Sequence, residues 1–404
     1  MGLRKSGHFL TLMMLYLVTL IMRASFYVTI AVISSNAYMG GILQGWSVTV
    51  ILIIYPIAEL STVSFFGSYS DKIGRKPILV TSLFITGLAA FLFGIASFEF
   101  LAYILAVLFG IGAASKVTTT LSMIADASSE FNRARLMGYY DLSTLVGLAG
   151  GFGLGILLLE FGWEAHILLF AAAGACTISG ILALFLIKET RVVSQTEIRM
   201  TDLLKKVASD RRIQLMLPVY VPIISLYGLM ISKLKQIIEE HFSLTEFDML
   251  IIFAMLGISL ILGIISMGHL SDLLMKRRPF IVVGLVGFGA LSYILVANSA
   301  NISAVWAIWP LLPILGFIAG AFPPAAMAYL TDISSEEARG STMGVYSIFF
   351  GSGMIIGPLA GQIAYELGDL VGLAILVAVL IAVACIGTYF LEEAAPVMQE
   401  EPIQ

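Results

Sequence analysis

Charge is scarce in this chain of 404 residues: only 12% are Asp, Glu, Lys or Arg, 59% are hydrophobic, and mean hydropathy is +0.99. A soluble domain carries about 25% charged residues, so the composition excludes that class. Cysteine is nearly absent. Cys176 and Cys385 lie in apolar runs with neither a partner nor metal-ligand spacing, which excludes a disulfide scaffold and leaves them as packing residues. The four histidines, His8, His166, His241 and His269, are scattered, and no GxxxxGK[ST] loop occurs. No catalytic constellation, metal site or ATP-driven machinery is therefore expected, and no cofactor or nucleic-acid partner. Strands of alternating polarity are also missing, which excludes a membrane β-barrel.

What is present is a series of apolar runs, each of about 20 residues or more, enough to cross about 30 Å of hydrocarbon at about 1.5 Å per residue. Twelve spans are expected near 9–34, 42–66, 77–97, 100–125, 136–159, 165–187, 213–238, 247–270, 280–298, 302–327, 341–365 and 369–391. The first run follows Arg4 and Lys5 but is too long for a signal-peptide core, so it reads as a span. Eighteen of the 22 basic residues fall in alternate connections, and the opposite connections have none. Both termini are therefore expected in the cytoplasm, with the chain in the lipid bilayer of the inner or plasma membrane. The exceptions are Arg23, Lys116, Lys233 and Lys235, inside spans or near their outer ends.

The segment from Lys188 to Arg212 is the one long polar stretch and separates six spans from six. It reads as a linker at 188–212 between bundles at 1–187 and 213–404, with a short amphipathic helix expected around Thr201–Ala208. Internal repetition supports the division. Asp126, Ser128, Ser129, Glu130, Arg133, Met137 and Gly138 recur 206 residues later as Asp332, Ser334, Ser335, Glu336, Arg339, Met343 and Gly344. At the same offset Gly147, Gly151 and Gly155 become Gly353, Gly357 and Gly361. Earlier in each half, Gly67, Asp71, Gly74, Arg75 and Lys76 are answered by Gly268, Asp272, Lys276, Arg277 and Arg278. Parallel repeats of this kind place a transported solute near the bilayer midplane, between halves that rock.

The stretch Gly67, Asp71, Lys72, Gly74, Arg75, Lys76 resembles the loop motif of the major facilitator superfamily usually written GxxxDRxGRR, with Lys replacing Arg at two positions. The degenerate second copy, Arg133 and Arg339 followed by Met-Gly, and the central linker extend the resemblance over essentially the whole chain. It implies an all-α membrane protein, twelve transmembrane helices in two pseudo-symmetric six-helix bundles around a central cavity. It also implies that Asp71 meets the N-terminus of the eleventh span and that Arg75 pairs with Asp126. Gly67, Asp71, Gly74, Arg75, Lys76, Asp126, Arg133, Gly268, Asp272, Asp332 and Arg339 would then form a gate whose contacts change with state. The glycine rows would lie at the moving interface between halves, and serve for close packing.

Charges at membrane depth are costly and mark function. Glu59 lies about 12 Å from the inner end of the second span and Lys116 about 15 Å up the fourth, so an ion pair between them is expected, with Asp141 nearby. These three are the proton-coupling candidates, with a permanent structural ion pair as the alternative. Arg23, with Tyr27 one turn on, suits an anionic group, since a guanidinium grips an anion bidentately, the alternative being a gate residue bonded to backbone carbonyls of the other half; Tyr227 and Lys233 are the remaining substrate-binding candidates. Further wall candidates are Tyr220, Gln44, Trp46, Tyr346 and Gln362. The first span has no carboxylate and Ala106 to Gly110 lacks the arginine of many drug exporters in the family, which disfavours lipophilic cations. The expected function is secondary transport of a small organic solute, anionic or polar, by alternating access with proton coupling, by a monomer. Multidrug efflux is the alternative, and a non-transporting membrane sensor or scaffold the second.

Overall fold

The computed structural model describes residues 2–35, 38–41, 43, 45–127, 133–190, 209–241, 246–297, 307–333 and 339–393. Helices in the first half are α1 (Gly2–Ile33), α2 (Trp46–Ile73), α3 (Arg75–Ile95), α4 (Glu99–Ala127), α5 (Arg133–Glu160) and α6 (Ala165–Leu186). A single turn at Arg211–Gln214 precedes α7 (Leu217–His241), α8 (Glu246–Leu274), α9 (Arg278–Ala297), α10 (Leu311–Ala319), α11 (Phe322–Asp332) and α12 (Arg339–Tyr389). Helices close every interior backbone hydrogen bond within themselves, which the bilayer core demands. The short helix expected at 201–208 lies outside the described residues.

Among the described residues, eleven helical stretches are long and apolar enough to cross a membrane. Ten have single-span length; the last, Ile348–Tyr389, has 42 residues, about twice what a bilayer core needs. It is broken midway, where Gly368 (φ −161°, ψ 19°) and Asp369 (φ 52°, ψ −135°) leave helical geometry. The expected eleventh and twelfth spans are the two arms of this broken helix. The expected tenth span is likewise divided, between α10 and α11, where Pro323 and Pro324 remove two consecutive N–H donors.

Packing follows the repeat. In the first half α1 lies on α5 and α6, α2 on α4, and α3 on α4 and α6. In the second, α7 lies on α12, α8 on α10, and α9 on α10, α11 and α12. The halves meet along α2 with α12 and along α5 with α8 and α11. The helices that carry the glycine rows, α5 and the first arm of α12, stand at that junction, while the rows on them face neighbours of their own half. A Cβ on Gly151 would overlap the Ala24 carbonyl of α1, and one on Gly357 the Ser225 carbonyl of α7. Each row lets one helix press onto a neighbour of its own half, because only a bare Cα admits backbone that close. Gly151→Leu should therefore lower stability by about 1–3 kcal/mol, read as an earlier melting transition in detergent.

The turn between α2 and α3 rests on one residue. Gly74 has φ 109° and its N–H returns to the Ser70 carbonyl at 3.1 Å, so the two helices meet in a tight corner. The second half has no glycine there; Met275 takes φ 53° instead, while Lys276 N–H reaches the Ser271 carbonyl at 3.2 Å. A side chain in left-handed backbone costs about 1–2 kcal/mol. Met275→Gly should relieve part of that and raise the melting temperature.

Candidate functional site

A cleft with ≈ 820 Å³ of empty space, counting the part continuous with solvent, opens between the halves. The first half supplies Arg23, Phe26 and Tyr27 from α1, Tyr55, Glu59 and Val63 from α2, Val117 and Leu121 from α4, and Tyr140 and Thr144 from α5. The second half supplies Met327 from α11 with Phe350, Gly351 and Met354 from α12. Close packing aims these residues: a Cβ on Gly147 would come 2.7 Å from that of Arg23, so α5 presses Arg23 toward the cleft.

Arg23, Tyr27 and Glu59, all expected to act, are thus brought together. Arg23 is 7% exposed and within electrostatic reach of Tyr140, Tyr27 and Glu59. Glu59 feels the charge of Arg23 and, less strongly, Lys116. The expected Glu59–Lys116 ion pair does not form. Lys116, fully buried, has no hydrogen-bond partner for its ammonium, which stands 5.1 Å from the centre of the Tyr140 ring. The Lys116 ammonium is directed to Tyr140 of α5 instead of to Glu59 of α2. Arg23 Nε and Thr144 Oγ1 are also unpartnered, so donors converge on one region with one carboxylate among the described side chains. An unpaired buried ammonium costs several kcal/mol unless something else supplies the acceptor, about what a bound anion provides. The Asp141 side chain lies outside the described residues.

Tyr227 and Lys233 do not line this cleft. Tyr227 stacks on Phe288 of α9, with ring centres 4.3 Å apart, because the face of α7 toward α12 is taken by Ser225, Gly228 and Leu229. Lys233, 2% exposed, donates to Gln362 Oε1 at 2.5 Å and lies 4.7 Å from the Tyr365 ring centre. Gln362 donates in turn to Glu366 Oε1 at 2.9 Å, and the Thr49 hydroxyl of α2 donates to Gln362 Oε1 at 3.4 Å. This polar knot joins α2, α7 and α12 near the end assigned by charge to the outside. Tyr220 is buried against Phe322 and Phe349, and Trp46 is 42% exposed. Gln44 and the Tyr346 side chain lie outside the described residues.

At the opposite end, Arg75 Nε donates to Asp126 Oδ2 at 2.5 Å, the pair the resemblance implied. Its counterpart is Arg277, with Nε to Asp332 Oδ2 at 2.9 Å and Nη1 to Asp272 Oδ1 at 2.5 Å. Burial works to lower the Arg277 pKa, but hydrogen bonds to Asp332 and Asp272 outweigh it and raise it, so the guanidinium stays charged. Both arginines tie the start of one helix to the end of the next within one half. Two carboxylates not singled out from the sequence complete the pattern. Glu189 accepts from Arg75 and Lys76 N–H at 3.1 and 3.0 Å, and Glu393 accepts from Arg277 and Arg278 N–H, capping α3 and α9. Their recurrence 204 residues apart was the signal available. Glu189→Gln should cost about 1 kcal/mol of stability through the weakened cap, measurable by thermal melting. Gly268 faces Pro324 of α11. The side chains of Asp71, Arg133 and Arg339 lie outside the described residues, and of Gly67 only the helical backbone is described.

Two halves built of helices long and apolar enough to cross a membrane, enclosing a charged cleft, define a multi-pass membrane transporter. The sequence profile of the Major Facilitator Superfamily matches residues 12–232 and 216–403, and the chain belongs to that family. It is 22% identical over 336 residues to "Multidrug resistance protein 2" of Bacillus subtilis, covering 80% of this chain and 81% of that one. It is 24% identical over 316 residues to "Proton-coupled antiporter flippase LtaA" of Staphylococcus epidermidis, covering 76% of each. Among solved structures, the nucleoside transporter NupG aligns with a TM-score of 0.69 at 12% identity over 95% of this chain and 100% of that one. The human organic anion transporter MFSD10 (TETRAN) aligns with a TM-score of 0.67 at 14% identity over 95% and 99%. At such identities these two structures speak for the fold alone.

Proposed function

We propose that this protein is a proton-linked secondary transporter of a small organic anion. The observation that carries this reading is Arg23 on the wall of a cleft whose described side chains include one carboxylate, Glu59, with Lys116 buried behind that wall and without a hydrogen-bond partner. An anion entering the cleft meets donors already desolvated, and Glu59, within reach of both cations, is the group able to exchange a proton as its neighbours' charge is taken up by substrate. The relative whose name includes "Proton-coupled antiporter" supports the coupling. Bundles 1–187 and 213–404 rock about the cleft through the linker 188–212, as a monomer in the cytoplasmic membrane with both termini inside. Asp71 closes the inner side against α12, and the Lys233–Gln362–Thr49 knot the outer side.

A second reading, efflux of varied lipophilic compounds, is favoured by the aromatic lining of Phe26, Tyr27 and Tyr55 and by relatives named as multidrug resistance proteins. Proteoliposomes with an imposed pH gradient separate the two. Uptake of labelled organic anions that collapses with the gradient is the expected result; uptake of lipophilic cations with none of anions would establish the second reading. For the gate, Asp71→Asn should shift cysteine accessibility toward the inward-open state, and an unchanged pattern would remove Asp71 from the gate.

A further inference from the structure

The two halves carry the same backbone contacts but opposite chemistry. In the first half Gly110 of α4 packs on Tyr55 and Ala58 of α2; in the second, Gly316 of α10 packs on Leu256 and Ser259 of α8. Likewise Gly147 packs on Arg23 of α1, and Gly353 on Ile224 of α7. These contacts fix the registers: α1 and α2 recur 201 residues on, and the fourth and fifth helices 206 residues on. Leu121 and Met327, paired by this register, both line the cleft, as do Thr144 and Phe350. The charged residues have no charged counterparts. Arg23 corresponds to Ile224, Glu59 to Leu260, and Lys116 to Phe322. One wall of the cleft therefore holds Arg23, Glu59, Tyr140 and Thr144 among apolar neighbours such as Phe26, Val63 and Leu121, with Lys116 behind them, while the facing wall is apolar among the described residues, with Met327, Phe350 and Met354.

We infer that the cleft takes an amphipathic organic anion, its charged head on the first half and its apolar body against the second. The inference rests on the anion reading above and adds the second moiety. A solute with both parts touches both halves at once, so burial of its body against Met327, Phe350 and Met354 is available only when the two walls face the same molecule.

The test is calorimetric titration of the full chain in nanodiscs with linear alkanesulfonates from ethane- to octanesulfonate, corrected against empty discs, and with alkyltrimethylammonium ions of matched length. Affinity for the sulfonates should rise about three- to fourfold per methylene, with the matched cations at least about tenfold weaker. Arg23→Gln should weaken every sulfonate by one common factor and keep the chain-length slope. Phe350→Ser, or Met354→Ser where the first fails to fold, should flatten the slope and leave ethanesulfonate unchanged. Sulfonates that bind with no chain-length dependence, and are lost in Arg23→Gln, would overturn the amphipathic inference while leaving the anion reading intact. Binding of the trimethylammonium series with none of sulfonates would overturn both. A Phe350→Ser variant that weakens short and long sulfonates equally would show that the second wall is not where the body lies.

Discussion

Arg23→Ala should lower anion uptake by about 30- to 1,000-fold, the loss expected when one partner of a buried, hydrogen-bonded charge contact is removed. Arg23 is held rigidly, with α5 pressed against its Cβ through Gly147, so the contact cannot be rebuilt by a shift of α1. Removing the guanidinium also removes the stronger of the two cations acting on Glu59. Arg23→Lys keeps the charge but not the planar fork and should fall between wild type and alanine. Initial uptake rates at low substrate concentration, beside a melting curve confirming that the variant folds, make the comparison. Undiminished uptake of every transported anion in a folded Arg23→Ala protein would show that Arg23 has no part in binding.

Glu59→Gln should separate movement from coupling. A gradient of one pH unit is worth about 1.4 kcal/mol per proton and supports about tenfold accumulation per coupled proton. Glutamine preserves the size of the side chain but carries no titrating proton. Counterflow exchange between equal substrate pools should therefore continue, while the gradient-driven accumulation ratio falls to about one, a loss of about tenfold per pH unit. Loss of both activities would assign Glu59 a structural role, and full accumulation would place proton coupling elsewhere in the chain.

The fold was legible because lipid imposes length. Spans, their boundaries and the inequality of the two loop motifs follow from hydropathy, charge placement and the internal repeat, and Met275 occupying the left-handed position where the first half has Gly74 is the structural form of that inequality. The Arg75–Asp126 contact was accessible through the family motif, since both groups sit at helix ends whose positions a short loop fixes. Inside the membrane the reading was less complete. Glu59 and Lys116 both lie within apolar helices, yet they do not pair. Tyr227 was assigned to the cleft and stacks on Phe288, and Lys233 belongs to a knot with Gln362. Tyr55, Tyr140, Met327, Phe350 and Met354 line the cleft without any local mark to distinguish them from other aromatic and apolar residues.

The cause is common to these misses. A soluble helix shows a polar face and an apolar face, so its inward side can be read along the chain. A helix in lipid is apolar all round, because hydrocarbon tails and protein core are alike, and the pattern of residues then carries depth but not rotation. The sequence by itself determined that this is a membrane protein of two repeated halves, where its loops lie, and that Arg23, Glu59 and Lys116 stand at membrane depth. Only the packing of helix on helix decided which of them face one another: the glycine rows set α5 on α1 and α12 on α7, and Arg23 and Glu59 line the cleft opposite Met327, Phe350 and Met354 while Lys116 is buried behind them.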